Sequence, residues 1–226
     1  MRIAIIGYGK MGHMIESIAR ERGHEIVCCI DQDNPEAWDS PELRRADVAI
    51  EFSTPATAEQ NIRQAWAKGL PVVCGTTGWD IEKLKVESLK LKEVESGKLL
   101  VDSHNKPVLL WKSNFSVGVN LFFRLNEWLA RQMTGLPQYT PSITETHHIH
   151  KLDKPSGTAK TLASQITADS PYSCPIASIR EGEVPGTHEV RWDSEEDTVV
   201  ITHIAKGRRG FALGAVLAAE QLTVES

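Results

Sequence analysis

The chain has 226 residues, of which 41% are hydrophobic and 24% charged, and a formal net charge of −5 at pH 7. Such a chain buries a workable core as one large domain or two small ones, and its composition excludes a fibre or a disordered polymer. The acidic balance argues against nucleic-acid binding, so an anionic ligand has to be met by locally placed positive charge.

The first stretch, Arg2 to Ile6, reads as a fully apolar strand, and Gly7-Tyr8-Gly9-Lys10-Met11-Gly12 follows at once. Met11, Ile15, Ile18 and Ala19 give a helical stripe that stops near Gly23. A second apolar strand, 25–30, ends at Asp31, about 20 residues past the last glycine of the motif. Alone, G-x-G-x-x-G is a tight strand-to-helix turn. Between a strand and a helix, with an acid closing the next strand, it is the fingerprint of a dinucleotide site. Gln32 and Asp33 follow Asp31 where a 2′-phosphate would favour arginine, so the expected cofactor is NADH in preference to NADPH.

Residues 33–47 are polar and too short for a long crossover helix. Strands are expected at 48–53, 71–74 and 108–111, helices at 57–68 and 80–92, and 98–102 reads as a strand or the edge of a loop. Ser53-Thr54-Pro55 and Gly75-Thr76-Thr77-Gly78 fall at carboxyl ends of parallel strands, where α/β sheets bind ligands, although turn chemistry alone also explains them. A helix over 119–133 carries Phe122, Leu125, Trp128 and Leu129 on one face, expected to be core.

The densest chemistry lies in Glu145-Thr146-His147-His148-Ile149-His150-Lys151-Leu152-Asp153-Lys154-Pro155-Ser156-Gly157-Thr158-Ala159. Alternation over 142–148 predicts a strand running into it, and Ala159, Leu162, Ala163 and Ile166 predict a helix running out, capped by Ser156 or Thr158. The free N–H groups and dipole of that helix start favour a carboxylate or phosphate. Histidine titrates near neutrality and lysine supplies a proton or fixed charge, so the stretch reads as an anion pocket beside acid-base groups. The alternatives are a solvated loop with incidental histidines, or a metal site built from His148, His150 and Asp153.

Beyond it, 176–180, 188–192 and 198–204 read as consecutive strands, and 211–222 as an apolar helix returning to the first domain. The expected architecture is α/β. A Rossmann-like parallel-sheet nucleotide-binding domain (1–116 and 208–226) is joined to a smaller α+β domain with an open mixed sheet (117–207). Cys28, Cys29, Cys74 and Cys174 form no C-x-x-C pair, the amino end is too short an apolar run for a signal sequence, and no run approaches membrane-spanning length. A cytoplasmic location with no membrane partner is therefore expected.

The central stretch resembles the dihydrodipicolinate reductase signature E-x-H-H-x-x-K-x-D-x-P-S-G-T-A. The glycine turn at Gly7, Gly75 to Gly78, Ser113-Asn114-Phe115-Ser116-Val117-Gly118-Val119-Asn120 and Phe211-Ala212-Leu213-Gly214-Ala215 match that family in the same order. The resemblance implies a pyridine-nucleotide reductase of a small cyclic dicarboxylate, serving the diaminopimelate route to lysine and assembled as a homotetramer through the sheets of its second domains. It implies His147 as proton donor or acceptor, Lys151 as proton donor, and His148, Gly157 and Thr158 as substrate ligands. Cofactor contacts then fall on Gly7, Gly9, Lys10, Met11, Gly12, Asp31, Gly75, Thr76, Thr77, Ser113, Asn114, Phe115 and Arg208. The segment between the second and third strands is shorter than usual for the family. Rival readings are another Rossmann-type reductase of a small acid, a catalytically silent nucleotide sensor, and a metallohydrolase.

Overall fold

The computed structural model describes residues 1–84, 89–94, 97–102, 104, 107–168 and 172–224. The chain divides into two compact units, Met1–Val117 with Arg209–Ser226, and Gly118–Arg208.

The first unit begins with β1 (Arg2–Ile6), α1 (Lys10–Glu21) and β2 (Glu25–Ile30), and two 3-10 turns at Pro35–Asp39 and Leu43–Arg45 replace a crossover helix. It continues through β3 (Val48–Glu51), α2 (Ala58–Ala67), β4 (Val72–Cys74), a 3-10 turn at Ile81–Leu84, β5 (Lys90–Val94), β6 (Gly97–Val101) and β7 (Pro107–Lys112). The seven strands lie in the order β2-β1-β3-β4-β7-β6-β5. The first five of that order are parallel, and β6 and β5 extend the edge antiparallel.

Continuous apolar strands arise because both faces of the sheet are covered. Ala4 and Ile6 pack with Ile62 and Ala65 of α2, whereas Ile3 and Ile5 pack with Ile15 and Ile18 of α1. The same second core takes Ala212, Ala215 and Ala219 of the final helix.

Two expectations are corrected here. A helix over 80–92 does not form: only Ile81–Leu84 makes a 3-10 turn, residues 85–88 lie outside the described residues, and Lys90 already pairs with Val101 across β6. Pairing with a partner strand decides this short segment, and Gly97 permits it, because a Cβ there would stand 1.9 Å from the Trp111 carbonyl oxygen. The segment 98–102 is accordingly a strand; residues 95–96, 103 and 105–106 lie outside the described residues.

The second unit contains α3 (Val117–Met133), whose first residue belongs to the first unit, β8 (Thr140–His147), α4 (Gly157–Thr167), β9 (Ile176–Arg180), β10 (Thr187–Asp193) and β11 (Thr198–Ile204). Then α5 (Arg209–Val224) returns to the first unit. The second sheet runs β11-β10-β8-β9, antiparallel except for the β8–β9 pair. Helices α3 and α4 cover one face through Phe122, Leu129, Leu162 and Ile166, packed on Ile143, Val190 and Trp192.

The apolar face read for α3 is the second correction. Phe122 and Leu129 are buried, but Leu125 and Trp128 are 45% and 57% exposed. Phe123, Asn126, Ala130 and Met133 complete the buried side instead. Bulk alone did not show which of two apolar stripes faces the sheet.

Candidate active site

Along β8 the burial alternates, with Ile143, Glu145 and His147 turned inward to the helix-covered face. Strand register gathers the rest. Glu145 lies opposite His188 on β10 and Ser178 on β9, His188 lies opposite His203 on β11, and His147 lies opposite Arg180. A row of polar groups therefore crosses the end of the sheet above the apolar core.

Glu145 is fully buried. Its Oε1 accepts from the Ser156 N–H at 3.0 Å and from both Arg180 Nη atoms at 3.4 to 3.5 Å. Its Oε2 stands 3.3 Å from His147 Nδ1 and 3.7 Å from His188 Nε2. The two imidazoles meet edge to face with centroids 5.0 Å apart, and His188 Nε2 also lies 3.2 Å from Ser156 Oγ. Gly186, at a φ of 150°, leaves a Cβ position only 3.1 Å from His147 Nε2, so the ring is bounded on that side by backbone.

Burial lowers the His147 pKa, and the charges of Lys151 and Arg180 work in the same direction against Glu145, which keeps the imidazole neutral near pH 7. Burial lowers His188 further, to about 4. For Glu145, burial raises the pKa, but hydrogen bonds from Ser156 and Ser178 and the His147 charge outweigh it and hold the carboxyl below its usual range. Glu145 Oε2, His147 Nδ1, His148 Nδ1 and His188 Nδ1 are buried without a well-formed hydrogen bond among the described residues, an accumulation that packing does not require.

Past His147 the chain leaves the strand. Lys151 Nζ meets Asp153 Oδ1 at 2.6 Å, and Arg180 bonds the backbone carbonyls of Lys151 and Asp153. Ser156 caps α4 by accepting from the Ala159 N–H at 3.2 Å, which leaves Gly157 exposed and Thr158 half-buried at the first turn. A Cβ on Gly157 would meet nothing within 4 Å, so that turn is open to a ligand.

The metal alternative does not assemble. His150 pairs with Glu183 at 3.0 Å, Asp153 with Lys151, and the rings of His148 and His150 are 6.0 Å apart. Among the described residues the group with ligand spacing is Glu145, His147 and His188, but Arg180 and Ser156 already engage its carboxylate, and two cations act on its imidazole.

In the first unit, Gly7 takes a φ of 88°, and a Cβ there would fall 2.3 Å from the Phe52 carbonyl oxygen. A Cβ on Gly12 would fall 2.5 Å from the Gly7 carbonyl oxygen, whereas one on Gly9 would meet nothing within 4 Å. The turn is thus tight inside and open outside, at the start of a helix that no side chain caps. Lys10 is exposed beside it and Met11 packs into the core. Asp31 Oδ2 accepts from the Tyr8 N–H at 2.9 Å, which places the acid at the same turn.

The loops after β3 and β4 are tied together. Thr76 Oγ1 accepts from the Ser53 N–H at 3.0 Å, while the Thr76 carbonyl accepts from the indoles of Trp79 and Trp111 at 2.7 and 2.8 Å. Beneath them, fully buried Glu51 accepts from the Ser53 N–H, Asn61 Nδ2 and the Cys74 thiol. A Cβ on Gly75 would strike the Phe52 ring, and Thr77 is exposed. Ser113 is exposed, Asn114 Oδ1 accepts from the Ser116 N–H, and Phe115 is buried against Phe52. Arg208 is exposed at the end of the second unit.

His188, Arg180 and Glu51 were not singled out from sequence. A signal existed for two of them: His188 shares the inward phase of Val190 and Trp192, and Glu51 interrupts an otherwise apolar strand. Arg180 gave none.

Residues 1–96 match the model of the dihydrodipicolinate reductase N-terminus and residues 118–226 that of its C-terminus. The chain is 45% identical to the 4-hydroxy-tetrahydrodipicolinate reductase of Christiangramia forsetii, over 98% of this chain and 92% of that one. It is 34% identical to the enzyme of the same name from Staphylococcus aureus strain MRSA252, over 98% and 95%. In structure it resembles a dipicolinate-bound dihydrodipicolinate reductase from Paenisporosarcina sp. TG-14, with a TM-score of 0.74 at 22% identity, covering 100% of this chain and 95% of that one. With both halves matched and close relatives spanning nearly its whole length, the chain belongs to the dihydrodipicolinate reductase family.

Proposed function

We propose that the chain reduces 4-hydroxy-tetrahydrodipicolinate to tetrahydrodipicolinate, exchanging the ring hydroxyl for hydrogen by loss of water and uptake of a hydride and a proton. The observation that carries this reading is the buried Glu145, His147 and His188 group beside Lys151 and the open first turn of α4. It offers acid-base groups next to donors suited to a carboxylate, as the substrate of the named relatives requires.

In this reading Gly157 and Thr158 hold a ring carboxylate by backbone N–H groups, and His148 borders the ligand. His147 is neutral near pH 7, so it accepts a proton or donates a hydrogen bond, while Lys151 carries the proton that is delivered. Glu145 orients His147 from below, and Arg180 fixes the loop that bears Lys151. The negative charge that builds on the ring as it is reduced is met by these positioned donors.

A bound reduced nicotinamide supplies the hydride. The residues present fit such a cofactor: the turn at Gly7, Gly9 and Gly12, followed by Lys10 and Met11 at an uncapped helix start, suits a pyrophosphate, and Asp31 suits ribose hydroxyls. Gly75, Thr76, Thr77, Ser113, Asn114 and Phe115 border the nicotinamide side. Asp31 and the exposed Asp33 disfavour a 2′-phosphate, which supports NADH over NADPH.

The uncovered face of the second sheet supports a homotetramer. Cross-strand rows Ile204, Thr187, Thr146 and Ile179, then Thr202, Glu189, Thr144 and Ala177, lie opposite the helices. Ile179, Val200 and Ile204 there are 45%, 41% and 64% exposed. A cytoplasmic site of action fits four unpaired cysteines. Among the described residues no helix is long and apolar enough to cross a membrane.

The test is loss of nucleotide absorbance when substrate formed from pyruvate and aspartate semialdehyde is added. NADH is expected to be consumed faster than NADPH; consumption of neither, with nucleotide binding intact, would point to another substrate or to a sensor.

A further inference from the structure

We propose that Asp153 is a resident stand-in for a substrate carboxylate, holding Lys151 in its binding arrangement until the ligand takes its place. The inference rests on the reading above in that it places a substrate carboxylate at the start of α4, beside Lys151.

The Asp153 carboxylate Oδ1 lies 2.6 Å from Lys151 Nζ. An ammonium at that place is a donor that a substrate carboxylate needs, and Asp153 engages it with a group of the same charge and shape.

The surroundings let the side chain leave without disturbing the site. Arg180 donates to the backbone carbonyls of both Lys151 and Asp153 and is itself held by buried Glu145. The loop backbone is therefore fixed at both residues, and only the Asp153 side chain has to rotate. It is 52% exposed, against 24% for Lys151, so the carboxylate swings into water while the ammonium stays in place. An exposed ion pair of this kind is weak enough to be displaced and strong enough to order a flexible lysine. Because the resident carboxylate competes with the ligand, apparent affinity is reduced by the fraction of molecules in which it is bound.

The experiment measures binding of dipicolinate, a planar aromatic dicarboxylate, by calorimetry on the full chain. The variants are Asp153→Asn, Asp153→Ser, Lys151→Met and the double variant Asp153→Asn with Lys151→Met, each checked for an unaltered melting temperature. Removing the competing charge is expected to tighten dipicolinate by about two- to fivefold, the range of an exposed ion pair. Lys151→Met weakens it, and in that background Asp153→Asn has no effect. A residue that merely braced the loop would weaken binding when replaced. Unchanged or weaker binding by both Asp153 variants that keep their fold would overturn the proposal. Failure of the unaltered protein to bind dipicolinate would instead bring down the dicarboxylate reading, and the stand-in with it.

Discussion

Glu145 and His147 sit two residues apart on one face of β8, with carboxylate Oε2 3.3 Å from imidazole Nδ1. The carboxylate also faces Arg180, His188 and the Ser156 N–H, so it serves four neighbours from a position without solvent. Glu145→Gln keeps the shape but removes the charge. Breaking a buried pair of this kind is expected to cost roughly 3 kcal/mol of stability, read as a shift in urea midpoint. With His147 less firmly oriented, kcat should fall on the order of tenfold to a hundredfold, while nucleotide affinity, which the proposed function places in the other unit, stays unchanged.

Acid should destabilise the protein earlier than its carboxylates alone dictate. His188 has a folded pKa of about 4 because burial disfavours its charged form, against about 6.5 in an unfolded chain. Between those values the unfolded chain binds more protons than the folded one, so stability falls as pH drops through that window and levels off below it. The slope is expected to reach about 1 kcal/mol per pH unit. Buried His147 and half-buried His203 shift in the same direction and add to it. Urea unfolding at pH 7, 6 and 5 measures the slope, and His188→Asn should flatten it.

Helix α5 passes so close to the Phe115 backbone that a Cβ on Gly214 would fall 1.6 Å from the Phe115 carbonyl oxygen. Alanine in an open helix would stabilise by about 1 kcal/mol relative to glycine. Here Gly214→Ala is expected to destabilise by about 1–3 kcal/mol through overpacking, and the reversed sign in thermal unfolding is the diagnostic. Gly157→Ala, with nothing within 4 Å of its Cβ, should leave the melting temperature nearly unchanged.

Ile204 and Val200 lie on the uncovered face of the second sheet, 64% and 41% exposed. In the proposed tetramer that face joins the subunits, so Val200→Asp with Ile204→Asp puts unpaired charge into the interface, and sedimentation should show a smaller species than the unaltered protein. A double variant that sediments as wild type would place the interface elsewhere.

The parts of this molecule that were legible in the sequence are those whose physics is local. The strand, glycine turn, helix and acid of residues 2–31 read correctly because the turn is local: Gly7 takes a φ of 88°, and a Cβ on Gly12 would strike the Gly7 carbonyl oxygen. The cap of α4 was legible as Ser156 or Thr158 because capping needs only the next three residues, and the structure uses Ser156. What stayed hidden was set by pairing at a distance. His188 and Arg180 reach Glu145 only through strand register, across 43 and 35 positions of chain. Likewise β5 exists because β6 is beside it, and whether Leu125 or Phe123 of α3 faces the core depends on where the sheet lies.

The central claim is that His147 and Lys151 manage the protons of a nucleotide-dependent reduction. Its most direct test is nucleotide oxidation measured side by side for the unaltered protein, His147→Gln and Lys151→Met, with nucleotide affinity determined for each. The account predicts substrate-dependent oxidation by the unaltered protein and a loss in kcat of about 10²- to 10⁴-fold in each variant, at unchanged nucleotide affinity. Full turnover by His147→Gln, or no oxidation by the unaltered protein, would contradict it.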